Sequence, residues 1–432
     1  MDLGAVVLFL RALVVIIVVA RLLGLLCRRL GQPEVIGEIA GGILLGPTLV
    51  HGAITRELFP ADIRPALTAV STVGVCVFMF LVGLHVADGG LRGQGRIAVV
   101  LSLGATVVPF VAGTLFAIGL VGDRSGRTAV LFCLYVGIAM SITAFPVLAR
   151  ILTDRDLIGT RVGGLALATA AIGDVLAWSM LAVLVAFSHG DTPPWRVLLV
   201  LPFVAVLVGV VRPLLARLAA RPPAVRARGT GTRFMLGAGL LVAIAAALAL
   251  SSYATAWMGL HTIFGAFLLG AVMPREGAAT LRARVLPPIE RIERTVLLPP
   301  FFVVAGFAVD LSGMDGRALG LLLLILLVAN GGKLFGAFGV ARLARMSTRH
   351  SAALALLVNT RGLTELIVLA VGLQIGLLDQ RLYSLMVVMA VVTTVTPGLL
   401  LPFVYPRWLA RRDREHRAVA ESAPLLEKES MP

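Results

Sequence analysis

The sequence predicts an all-α polytopic membrane protein, on three grounds. Of its 432 residues, 59% are hydrophobic and only 14% charged, with a mean hydropathy of +0.98, more apolar surface than one soluble core can hide. Apolar runs of about twenty residues, the length that crosses a bilayer as a helix, recur from the N-terminus to residue 405. The runs are continuous and do not alternate polar with apolar, which excludes the strands of a membrane barrel.

Taken in order, the runs place spans near residues 5–27, 34–50, 68–86, 97–120, 129–152, 160–187, 197–216, 233–250, 255–273, 296–309, 318–343, 351–373 and 382–404. That makes about 13 transmembrane helices, with ends uncertain by ~3 residues. The first run follows Met1-Asp2 directly, without a basic region and a small-residue cleavage site, so no cleaved signal is expected. The short runs at 255–273 and 296–309 are bounded or interrupted by Pro274, Pro287, Pro288, Pro299 and Pro300. The charged tail after Tyr405 is too short for a domain.

A net charge of +15 would suit a nucleic-acid partner if the bases formed a patch, but they are scattered through short loops. Assigning alternate loops to one side gathers most of the 38 Lys and Arg residues there, leaving Arg21, Lys333 and Arg361 inside the membrane. Basic loops stay in the cytoplasm. The N-terminus is therefore expected outside the cell and the C-terminus inside. Cys27, Cys76 and Cys133 lie in apolar segments without metal-ligand spacing and read as small hydrophobic residues.

Against this background the informative residues are the polar ones at membrane depth. The stretch from Leu165 to Met180 contains one charge, Asp174. A carboxylate in hydrocarbon is expensive, and the default reading is an ion or proton pathway; the bland alternative is an Asp capping a broken helix after Gly173. Pro146 removes a backbone donor, so the helix over 129–152 is expected to be unwound near Ser141 and Thr143. A second helix-weak cluster, Asn359-Thr360-Arg361-Gly362, interrupts the run at 351–373. One such break in each half of the chain fits an inverted repeat whose half-helix ends and free carbonyls bind ions.

Two readings stand for Lys333: a counter-ion to Asp174, or a second titrating group. Arg361 and Glu365, four apart, read as a structural pair that holds the broken helix. Glu38 and His261 are further intramembrane polar residues for which pairing is the simpler role. No Walker loop, HExxH, GxSxG or paired-aspartate cluster is present, so no cofactor, nucleotide or hydrolytic chemistry is expected. The drive must come from ion gradients.

The stretches RLGQPEVIGEIAGGILLGP (29–47), FLVGLHVADGGLR (80–92), SITAFPVLARIL (141–152), AIGDVLAW (171–178), GLHTIFGAFLLGAVMP (259–274), LLPPFFVVAGFAVDL (297–311), NGGKLFGAF (330–338) and NTRGLTELIVL (359–369) carry a resemblance. The chain resembles bacterial sodium/proton antiporters of the monovalent cation:proton antiporter-2 family, related to plant cation/proton exchangers and to the glutathione-gated potassium efflux systems. The resemblance implies a homodimer in the cell membrane, with a mobile core moving against a dimerisation scaffold by alternating access. Scaffold helices would fall at 1–90 and 233–315, core helices at 91–187 and 316–405, a linker at 188–232 and a cytoplasmic tail at 406–432. Asp174 matches the family's ion-binding aspartate, with Thr143 and Ser141 beside it, and a monovalent cation and a proton would occupy it in turn. Lys333 matches the core basic residue; Pro146, Asn359, Thr360, Arg361 and Glu365 would support the broken helices.

Sodium or lithium is the favoured cation; potassium, an organic cation or a non-transporting sensor are the alternatives. One departure stands out. Where relatives carry Asp, Asn or Gln before the ion-binding acid, this chain has Gly173. The chain also lacks the nucleotide-binding domain of the gated potassium systems, so gating by glutathione or NADH is not expected.

Overall fold

The computed structural model describes residues 3–48, 53–88, 95–158, 160–188, 196, 198–220, 230–273, 286–406, 408–409 and 411–413. Of the linker expected at 188–232, residues 189–195, 197 and 221–229 lie outside these residues, as do residues 407, 410 and 414–432 of the expected tail at 406–432. Every regular element among them is helical: α1 Leu3–Arg29, α2 Glu34–Leu45, α3 Ala53–Leu58, α4 Arg64–Asp88, α5 Gly95–Ile118, α6 Gly126–Ser141, α7 Phe145–Asp154, α8 Arg161–Ser188, α9 Val200–Val206, α10 Arg212–Ala220, α11 Thr230–Trp257, α12 Thr262–Ala271, α13 Leu286–Ile292, α14 Leu298–Phe307, α15 Gly316–Leu343, α16 Thr348–Val358, α17 Leu363–Gln374 and α18 Gln380–Val404. By length and apolarity eight spans qualify among the described residues, or nine if α16 and α17, bent by 43°, count as one. The expected thirteen are not reached on that criterion. At 12 and 10 residues, α2 and α12 are shorter than the hydrocarbon is thick.

The expected gap between spans at residues 250 and 255 is displaced. The polar run Ser251-Ser252-Tyr253-Ala254-Thr255 suggests a break, yet α11 continues through it to Trp257. Two of its hydroxyls find carbonyl partners: Ser251 Oγ donates to Gly265 O at 2.7 Å and Thr255 Oγ1 to Ser252 O at 3.0 Å. The turn comes later, at Gly259, whose φ of +87° suits glycine. The span expected at 296–309 also starts earlier. A π-helical stretch, Glu293–Leu297, joins α13 to α14 just before Pro299 and Pro300, a wider turn that loosens the ladder where the prolines offer no donors.

The chain divides into two compact units. The first comprises residues 1–22, 38–89 and 182–308. Glycines bring its helices into backbone contact: a Cβ on Gly42 of α2 would lie 2.7 Å from Phe302 O of α14, and one on Gly83 of α4 would lie 2.2 Å from Phe267 O of α12. Close approach through small residues is how helices associate in lipid, where hydrophobic burial gives little drive. Phe59 and Phe307 stack at 4.5 Å between ring centroids, among buried Ile16, Ile63 and Leu67. Outside, Val7, Leu10, Val14 and Val18 of α1 are exposed, as an apolar face toward lipid requires.

The second unit comprises residues 23–37, 90–181 and 309–432. It contains both interrupted helices, α6/α7 and α16/α17. Here α5 and α15 meet through Gly104 and Gly336, where a Cβ on Gly336 would lie 2.5 Å from Gly104 O. Leu148, Ile151, Leu165, Leu354 and Leu357 form its apolar core. At one end Arg150 bridges Glu34 at 3.0 Å.

Candidate functional site

The α6 helix ends at Ser141 because residues 142–144 turn extended and Pro146 sits in the first turn of the next helix. Proline there needs no donor and starts α7 at a favourable φ. The other break follows the same logic: α16 ends at Val358, residues 359–362 unwind, and α17 starts after Gly362 at φ +155°. The two breaks satisfy each other. Thr143 Oγ1 donates to Val358 O at 2.9 Å, and Ala144 N donates to Thr360 O at 3.0 Å.

Helix ends at the crossing carry partial charges, negative at carbonyl ends and positive at amide ends. The carbonyl end of α6 is capped by bases. Arg361 donates to Ala139 O at 3.0 Å and to Met140 O at 2.6 Å, while Lys333 Nζ donates to Ser141 O. The amide ends face acids. Glu365 lies in the first turn of α17 and accepts from Arg361 at 2.8 Å, and the Phe145 amide that opens α7 acts on the carboxylate of Asp174. Arg361 lies ahead of α17 in the unwound stretch, so the pair with Glu365 spans a helix start and does not decorate one helical face.

Asp174, in the middle of α8, is 1% exposed. Among the described residues no side chain hydrogen-bonds to its oxygens, and the donor that acts on them is the Phe145 amide at the start of α7. Lys333 acts on it as the opposite charge, but its ammonium is engaged with the Ser141 carbonyl. Beside the two readings of Lys333 the geometry adds a contact that neither anticipated, its ammonium meeting the carbonyl end of α6. Around the crossing, the Thr360 and Thr364 hydroxyls, Asn359 Oδ1 and Glu365 Oε2 are also buried without partners.

The unit thus brings together Asp174, Ser141, Thr143, Pro146, Lys333, Asn359, Thr360, Arg361 and Glu365. It does not include Glu38 or His261, which fall in the first unit. His261 caps α12, its Nδ1 accepting from Ile263 N at 3.5 Å, and Glu38 is buried within electrostatic reach of Glu293. Residues the sequence reading passed over also belong to the crossing. Asn330 accepts from Asn359 Nδ2 at 2.7 Å, and Tyr135 donates to Val368 O, tying α6 to α17. Asn330 was findable as a polar residue one turn before Lys333 in an apolar run; Tyr135 gave no signal, because a tyrosine in a span reads equally well as packing.

The family model described as "Sodium/hydrogen exchanger, transmembrane" matches residues 14–405. The chain belongs to the sodium/hydrogen exchanger family. Within that family it is 35% identical over 415 residues to the Na(+)/H(+) antiporter NhaS4 of Synechocystis, covering 94% of this chain and 99% of that protein. It is also 35% identical over 421 residues to the Cation/H(+) antiporter 17 of Arabidopsis thaliana, of which it spans 50%. The fold is similar to the solved structure of the sodium proton antiporter MjNhaP1 from Methanocaldococcus jannaschii, with a TM-score of 0.64 at 16% identity, covering 95% of this chain and 99% of the other.

Proposed function

We propose that this exchanger is a secondary active antiporter that moves a monovalent cation, Na+ or Li+ first, against H+, with Asp174 holding either in turn. The observation that carries the reading is the Asp174 carboxylate, buried beside two broken helices with no side-chain hydrogen-bond partner among the described residues. A charged, empty carboxylate in that position costs at least ~3 kcal/mol. Neutralised by a proton or a cation, it loses most of that cost. The two ligands compete for one group, and the empty charged state is the one that crosses poorly, which couples the fluxes. Thr143 and Ser141, with the unpartnered oxygens of Asn359 and Thr360, are the groups available to help hold the cation. Arg361, Glu365 and Pro146 keep the breaks in place.

Sodium is preferred because the Synechocystis relative is named a Na(+)/H(+) antiporter over nearly its whole length. Potassium is the second reading, supported by the less specific name of the plant relative. The protein is proposed to be a homodimer in the cell membrane, with its N-terminus outside and its C-terminus in the cytoplasm, following the distribution of basic loops.

The test is proton flux in proteoliposomes carrying an internal pH dye, with Li+, Na+, K+ and Rb+ added in turn. Wild type is expected to dissipate the proton gradient with Na+ and Li+, and Asp174→Asn to be silent with every cation. Coupled flux in Asp174→Asn above that of empty vesicles would defeat the reading, and equal rates with K+ would shift it to potassium.

A further inference from the structure

Gly173, immediately before Asp174, has no packing reason to be glycine. Its φ is not among the positive values of the chain. A Cβ built on it would meet only Ser102 Oγ at 3.6 Å and Thr106 Oγ1 at 3.8 Å, ordinary contact distances. At Gly137 and Gly163 of this unit the same Cβ would collide, 2.2 Å from Thr114 Oγ1 and 2.0 Å from Leu157 O, whereas Gly320, Gly331 and Gly339 leave as much room as Gly173. Alanine would therefore fit at position 173, and in a helix interior it would be favoured by about 1 kcal/mol. What glycine leaves there is space, of about one side-chain atom, faced by two hydroxyls.

Ser102 departs from the usual pattern of helical hydroxyls in this chain. Thr72, Thr153, Ser179, Thr394 and Thr396 each donate to the carbonyl four residues back, the usual way a helical hydroxyl satisfies itself in lipid. Ser102 is fully buried and its Oγ has no partner among the described residues. Thr106 lies one turn along the same face of α5. Thr169, one turn before Gly173 on α8, is likewise buried with its hydroxyl unpartnered. A recess lined by hydroxyls that can donate and accept, at the residue next in sequence to Asp174, meets the requirements for an ordered water, which needs two to four polar partners.

We propose that Gly173, Ser102 and Thr106 form a water subsite, and that the cation at Asp174 keeps this water as one of its ligands. The proposal rests on the reading of Asp174 as the cation site. Glycine at 173 then sets selectivity by retaining part of the hydration shell. Li+ and Na+, which hold water most strongly, gain most from that ligand; K+ and Rb+ gain least.

The experiment compares half-saturating concentrations of Na+ and K+ for proton flux in proteoliposomes of wild type, Gly173→Ala, Ser102→Ala and Thr106→Val. Gly173→Ala fills the recess, and Ser102→Ala removes an anchor of the water. Each is expected to shift the Na+ to K+ ratio by about fivefold against Na+, the scale of one lost hydrogen bond. Ratios within about twofold of wild type in both variants would overturn the water subsite while leaving Asp174 as the cation site. If Gly173→Ala does not elute as a monodisperse peak in detergent, Ser102→Ala and Thr106→Val decide by the same criterion. A wild type that moves no protons with any cation overturns the antiport reading itself and the subsite with it.

Discussion

Arg361 is the residue on which the crossing depends most directly. It is fully buried, and its guanidinium joins two carbonyls at the end of α6 to the carboxylate that opens α17. A lysine has one compact ammonium and cannot reproduce that fork. Arg361→Ala is expected to destabilise the unit by about 3–5 kcal/mol, because it strands a buried acid and two carbonyls. The double variant Arg361→Met, Glu365→Leu is expected to recover part of that loss, since it removes both charges. Unfolding midpoints in detergent measure both; a single variant as stable as wild type would show that the fork is dispensable. Next to it, Gly362 has a different constraint. At φ +155° its Cβ would lie 2.6 Å from Val147 Cγ2, so here backbone conformation and packing both require glycine, unlike at Gly173.

Among the elements, α16 is tied at both ends. Its far end enters the crossing, and its near end is capped by Ser347 and held by the chain after α18. His350 Nε2 meets Asp413 Oδ2 at 2.8 Å, Tyr405 donates to the same carboxylate, and the Tyr405 ring packs edge-on against His350 at 5.7 Å. Asp413 thus pins the start of the C-terminal segment to the helix that leads into Asn359 and Thr360. Asp413→Ala is expected to release that segment and speed tryptic cleavage after Arg411 and Arg412 severalfold, with His350→Ala giving a smaller effect. Mass spectrometry of timed digests reads the sites directly, and unchanged cleavage rates in both variants would mean that packing alone holds the segment. The short helices α2 and α12 illustrate a second element-level rule: each lacks the length to span alone, yet each packs by glycine contact on a longer neighbour, α2 through Gly37 on Leu23 of α1 and α12 on Gly83 of α4.

For the whole molecule, the consequence of a single acid is electrical. With Gly173 in place of a second carboxylate, the proposed antiport has one titrating acid at the cation site, so one cation is expected to exchange for one proton. Turnover is then expected to be electroneutral. A membrane-potential dye in sodium-driven proteoliposomes is expected to stay flat in wild type; a strong response tied to turnover would demonstrate a second charge-carrying group, with Lys333 the first to test. The exchange would then draw on the proton gradient alone and not on the membrane potential.

Much of this protein was written in its sequence. Hydropathy determined the membrane class and most span positions, because burial in lipid imposes a compositional rule on every residue of a span. Asp174, Lys333, Arg361 and Glu365 stood out for the same reason, as charges are rare where they are costly. The two breaks were legible through Pro146 and the Asn359 to Gly362 cluster, since proline and glycine act on the backbone locally. The end of α11 differs from the sequence expectation because serine and threonine look like breakers in sequence, whereas Ser251 and Thr255 give their hydroxyls to a carbonyl of the next helix and of their own. Only tertiary structure decided that Lys333 spends its ammonium on a helix end, that Tyr135 and Asn330 belong to the crossing, and that Ser102 and Thr106 face the gap at Gly173. Those facts depend on contacts between residues far apart in the chain. Periodicity assigns a residue to a face of its own helix, but only packing determines what that face meets.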